Sequence, residues 1–97
     1  MLPRRKVNLE IRTVGSEVLV HDTELGKVHV LNYTAGETLS LCDGSHSISD
    51  LARVLAKSFG VDATTIESDV ADVVRSFSDL QLLENDAPSY TFSIDLS

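Results

Sequence analysis

Residues 28–44 read VHVLNYTAGETLSLCDG, and this stretch decides the fold. Val28 and Val30 alternate with Lys27 and His29, the period of a strand. Thr34 then offers a hydroxyl as N-cap, and Glu37 stands at the capping-box position. Ala35, Leu39 and Cys42 follow at helical spacing, and Gly44 sits where a left-handed C-cap costs least. A strand thus runs straight into a helix predicted over 34–43.

Two further strands precede this one. The first is predicted over 8–14 and turned by Gly15 and Ser16. The second covers 17–22, with Val18 and Val20 on one face. A hairpin loop over 23–26 follows, with Gly26 at its positive-φ position. The third strand is predicted over 27–31.

Two further helices come after. One starts at Ser47, with Asp50 placed for a capping box, and presents Ile48, Leu51, Leu55 and Phe59 as a core face. Gly60 ends it. The last begins near Asp62 or Thr64 and runs to about Leu80, with Ile66, Val70, Val73, Val74, Phe77 and Leu80 as its apolar stripe. A small three-stranded antiparallel sheet followed by three helices on one side is an α+β domain, winged helix-turn-helix-like in its helix spacing. The domain is predicted over 1–84. The remaining 85–97 read as a tail. It carries Pro88 and then alternates Tyr90, Phe92, Ile94 and Leu96 with polar residues, the pattern of an extra strand or of a disordered terminus.

Composition narrows the function. The 97 residues make one small domain, and 42% hydrophobic with 24% charged residues is ordinary for a globular protein. Eight basic against fifteen acidic residues give a formal charge of −7, which disfavours nucleic acid, since phosphate contacts need Lys and Arg. A recognition helix would display Arg, Lys, Asn or Gln. The last helix instead carries Glu67, Asp69, Asp72 and Asp79 against one Arg75. One cysteine excludes an internal disulfide, and a buried reduced Cys42 fits the cytoplasm. No apolar run approaches membrane-spanning length or follows the basic N-terminus as a signal would.

Catalysis and metal binding find no support in the pattern. His21, His29 and His46 are scattered and share no ligand spacing with Cys42, so no metal and no cofactor is expected. Cys42 lies in register with the apolar helix face, which reads as packing rather than nucleophile. Ser45 and His46 are sequence neighbours, an arrangement that rarely makes a nucleophile–base pair, and Ser47 reads as an N-cap. No phosphate loop or metalloprotease motif occurs.

Peptide or protein binding remains. A three-stranded sheet leaves edges to which a partner peptide can add a strand. Each main-chain hydrogen bond contributes roughly 1 kcal/mol net. A few of these with two or three buried side chains reach a micromolar Kd, about −8 kcal/mol. An exposed edge also permits a weak homodimer beside the monomer.

The chain resembles the PqqD-like family. The resemblance spans about 7–84. It rests on VHD at 20–22, VHVLN at 28–32, Ala35, LCDG at 41–44, and Asp69 with Val70. It implies a non-catalytic element that binds the leader of a ribosomally made precursor peptide. Such an element presents the peptide to a modifying enzyme, often a radical SAM protein. In the family the leader docks against the third strand beside the third helix. By position this points to Lys27, Val28, His29, Val30 and Leu31, and to Asp69, Val70, Val73, Ser76 and Phe77. The member dedicated to pyrroloquinoline quinone carries a tryptophan-bearing third strand. This chain has no Trp, so it is similar to the broader PqqD-like group. A generic docking module and, more distantly, a DNA-binding winged-helix regulator are the alternatives. Residues 90–96 raise one more expectation: either they pair with the same sheet edge, in their own chain or a neighbour, or they form a disordered terminus.

Overall fold

Val18 and Val20 point to the same side of the middle strand and fix which face of the sheet is buried; they are 4% and 0% exposed. The computed structural model describes residues 2–84. The expected tail strand at 90–96 lies outside them. The strands are β1 (Leu9–Val14), β2 (Glu17–Asp22) and β3 (Lys27–Asn32). They form an antiparallel sheet in the order β1-β2-β3. The helices are α1 (Tyr33–Ser40), α2 (Ile48–Phe59) and α3 (Ala63–Asp79). This is the α+β architecture that the sequence predicts.

The register assigns each side chain a face. Ile11, Val20 and His29 are aligned across the sheet, as are Thr13, Val18 and Leu31, and these rows face the helices. Arg12, Leu19 and Val30 form an outward row, with Glu10, His21 and Val28 beside it. His21 and His29 therefore sit on opposite faces. The core joins Val18, Val20 and Leu31 to Leu39, Leu51, Leu55, Val70, Val74, Phe77, Leu82 and Leu83.

The passage from β3 to α1 differs from the sequence reading. Asn32, not Thr34, is the N-cap; its side-chain oxygen accepts from the Ala35 amide at 2.8 Å. The physical reason is the absence of a loop. Asn32 is the last extended residue (φ −71°, ψ 170°), so its carbonyl-bearing side chain meets the first free amides, and Thr34 is already inside the helix. Glu37 takes a hydrogen bond from the Tyr33 hydroxyl and holds that phenol above its usual range. The helix also ends earlier than predicted, at Ser40 with Leu41 as C-cap. Gly44 has φ +86° but is not the cap. Its amide donates to the Pro3 carbonyl at 2.9 Å, and a Cβ there would lie 2.6 Å from the Arg4 guanidinium. Gly44 makes room for the N-terminal segment instead.

The other helix ends follow the sequence. Ser47 and Asp50 form a reciprocal capping box, Gly60 closes α2 at φ +71°, and Asp62 caps α3. Phe59 departs from the core face predicted for it and is 42% exposed. The N-terminal segment ties the ends together: Arg5 N donates to Cys42 O, Lys6 N to Leu82 O, and Glu84 N to Arg4 O.

Asp22 is fully buried and locks the β2–β3 hairpin. Its Oδ1 accepts from Asn8 Nδ2 at 2.7 Å and from the Glu24 and Leu25 amides at 3.0 Å. The Lys6 ammonium stands 3.9 Å from Oδ2. The Leu25 amide, with Asn8 and the other donors, holds the Asp22 carboxyl below its usual range.

Cys42 is buried, and its thiol donates to the Thr38 carbonyl at 3.3 Å. Burial pushes the thiol up to about 12, so it stays protonated and un-nucleophilic. A disulfide-exchange reagent at pH 8 is expected to label the native protein at least ~100-fold more slowly than the protein in denaturant. Equal rates would show that Cys42 is accessible.

Candidate peptide-binding site

β3 pairs with β2 on one side only, so the main-chain groups on its other side have no strand partner among the described residues. Such an edge is a template for an added strand. α1 leaves the end of β3 without a loop and turns back over the sheet. Its Thr34 and Thr38 then meet α3.

Between α1, α2 and α3 lies a cavity of about 120 Å³, lined by Thr34, Thr38, Leu55, Phe59, Ile66, Asp69, Val70 and Val73. The α3 members are spaced as one helix face. The Thr38 hydroxyl donates to the Thr34 carbonyl at 2.8 Å, which satisfies it locally. Asp69 brings the sole charged side chain of the lining.

The site residues expected from sequence are not all brought together. Lys27, Val28 and Val30 are exposed on the edge strand, with Val28 at 60% and Val30 at 58%. His29 is half-buried on the helix side, and its Nε2 is buried with no hydrogen-bond partner among the described residues. Leu31 belongs to the core. On α3, Asp69, Val70 and Val73 come together at the cavity. Ser76 and Phe77 do not line it. Ser76 is exposed, its hydroxyl bonded to the Val73 carbonyl at 2.6 Å, and Phe77 is fully buried in the core. Sequence reasoning missed Thr34, Thr38, Leu55, Phe59 and Ile66 as cavity residues. Thr34 and Thr38 were legible as a pair one helical turn apart. Phe59 was not, because an aromatic at core spacing reads as core.

The loop between α1 and α2 holds a different cluster. Ser45 and His46 do meet, contrary to the sequence expectation: Ser45 Oγ lies 3.2 Å from His46 Nδ1. Both also reach Asp43, at 2.6 Å from the Ser45 hydroxyl and 3.2 Å from the ring. The Ser45 hydrogen bonds, first of all, pull the Asp43 carboxyl down to about 2. The serine proton is thus committed to the carboxylate, which braces a turn rather than arming a nucleophile. Among the described residues no three His, Cys, Asp or Glu side chains gather as a metal site, and no helix is long and apolar enough to cross a membrane.

Comparisons with known proteins agree with this fold. TbiB1, solved in complex with the TbiA(beta) leader peptide, superposes with a TM-score of 0.71 at 20% identity, covering 87% of this chain and 98% of that one. A lasso peptide synthetase B1 complexed with the leader peptide gives 0.70 at 23% identity, over 87% and 99%. The PqqD truncation of Methylobacterium extorquens PqqCD, a stand-alone RiPP recognition element, gives 0.70 at 22% identity, over 86% and 88%. These likenesses establish the fold. A search of curated proteins gave no match. The family described as coenzyme PQQ synthesis protein D (PqqD) matches residues 17–83, from β2 through all three helices, and the chain therefore belongs to that family.

Proposed function

We propose that this protein is a non-catalytic recognition element that binds the leader of a ribosomally made precursor peptide by strand addition to β3. The observation that carries the reading is the β3 edge, left without a strand partner among the described residues, from whose end α1 runs on to line the cavity against α3. Two relatives of the same fold were solved with leader peptides, which supports it. The binding residues are those of the edge, Lys27, Val28, His29, Val30 and Leu31, with Asp69, Val70, Val73 and Ser76 on α3. Phe77 acts from beneath them, as a core support. The bound leader is handed to a modifying enzyme, of radical SAM type by family resemblance, in the cytoplasm. The peptide-binding domain spans residues 1–84.

The test is an NMR titration of labelled protein with the leader of a precursor encoded beside it. Shifts should concentrate in 27–31 and one flank of α3. A saturating titration that leaves both unmoved removes strand addition as the mode for that leader.

A proline scan of Val28, His29 and Val30 sharpens the test. Proline deletes one amide donor at a time, and successive amides point to opposite edges. One parity should lose a bond to β2 and destabilise the fold. The other should leave the fold largely intact and weaken leader binding by roughly tenfold. Equal effects at all three positions would contradict edge recognition.

A further inference from the structure

We infer that the cavity between α1, α2 and α3 selects the bound peptide, taking a branched aliphatic side chain whose sequence neighbour is Lys or Arg. The inference rests on the strand-addition reading and specifies what that strand must carry.

Size sets the first half. About 120 Å³ is somewhat less than the roughly 150 Å³ of a dry apolar cavity that admits a benzene ring. Leucine or isoleucine therefore fits where tryptophan does not. The walls are apolar where they touch a guest. Leu55, Ile66, Val70 and Val73 contribute hydrocarbon, and Thr38 has its hydroxyl engaged by the Thr34 carbonyl.

Charge sets the second half. The neighbouring acids of α3 are occupied: Asp72 pairs with Arg75 at 2.8 Å, and Glu67 accepts from Ser49 at 3.2 Å. Asp69 has no hydrogen bond or ion pair to any described residue, yet it lines the cavity and is exposed. A formal charge of −7 adds a general attraction for cationic peptides. A cation beside the aliphatic anchor meets an acceptor there, while an acidic neighbour is repelled. Thr34 stands two residues beyond Asn32, so one wall of the cavity starts from the end of β3.

The experiment uses synthetic threonine-rich dodecapeptides with blocked ends. Their two central positions carry Leu-Lys, Leu-Glu, Leu-Ser or Trp-Lys. Binding to the full chain is followed by NMR shifts and by affinity. Leu-Lys should bind best, ahead of Leu-Glu by roughly fivefold at low salt. Asp69→Lys should reverse that order, and its exposure leaves the fold intact. Val73→Ala should enlarge the cavity and narrow the gap between Trp-Lys and Leu-Lys. Shifts along β3 with equal affinity for Leu-Lys and Leu-Glu would overturn the selectivity and leave strand addition standing. An absence of shifts along β3 with every peptide would overturn both.

Discussion

Phe77→Ala is expected to lower the unfolding free energy by about 3–5 kcal/mol. The ring is the largest fully buried side chain of the described residues and lies in one cluster with Val18 and Val20 of the sheet and Leu39, Leu51 and Leu82 of the helical layer. Its removal deletes apolar contact area and leaves a cavity within that cluster. The segment after α3 depends on it too, since the Leu82 amide donates to the Phe77 carbonyl at 2.9 Å as the chain turns back. A domain of this size has roughly 5–15 kcal/mol in total, so a substantial share of its margin would go. Urea denaturation of the two proteins measures the difference, with an unchanged m-value showing that the unfolded state is the same. A loss below about 1 kcal/mol would mean that the core does not converge on this ring. Leader binding by the variant is informative only at temperatures where it remains folded.

The sequence was most legible where local signals and packing agree. Val18 and Val20 alternate, and they are buried; Ser47 and Asp50 are spaced for a capping box, and they make one. It was less legible where one residue serves two elements. Asn32 ends β3 and caps α1, while a capping-box reading places the cap at Thr34. Gly44 has the positive φ of a helix terminator, but the N-terminal segment is what it accommodates. Asp22 sits in a strand pattern as an ordinary polar residue, and only the tertiary structure brings Asn8 and Lys6 to it. The edge strand of the candidate site was pointed to by the family resemblance, and the order β1-β2-β3 leaves β3 at one side of the sheet. The cavity was not readable, because its lining comes from three helices whose mutual spacing no local pattern encodes.

Gly36→Ala is expected to destabilise the protein by about 2–3 kcal/mol, against the sign of helix propensity. In an exposed helix interior the same change would stabilise by up to ~1 kcal/mol. Gly36 is buried on α1, and a Cβ there would lie 2.3 Å from Val18 Cγ2 and 2.7 Å from Val18 Cβ. Val18 cannot swing aside easily. It is β-branched, nearly fully buried, and held between Thr13 and Leu31 in the sheet register. Relief must come from α1 lifting off β2, which also moves Thr34 and Thr38 away from α3. Val18→Ala in the same chain removes both γ carbons but leaves the Cβ, so rescue should be partial. The double-mutant cycle should show a favourable coupling of about 1–2 kcal/mol. Additive losses would place the strain elsewhere. Because α1 carries one wall of the cavity and starts from the end of the edge strand, Gly36→Ala should also weaken leader binding at temperatures where the protein is folded. Val18→Ala should restore part of that affinity together with the stability, which ties the close approach of helix and sheet to the shape of the binding site.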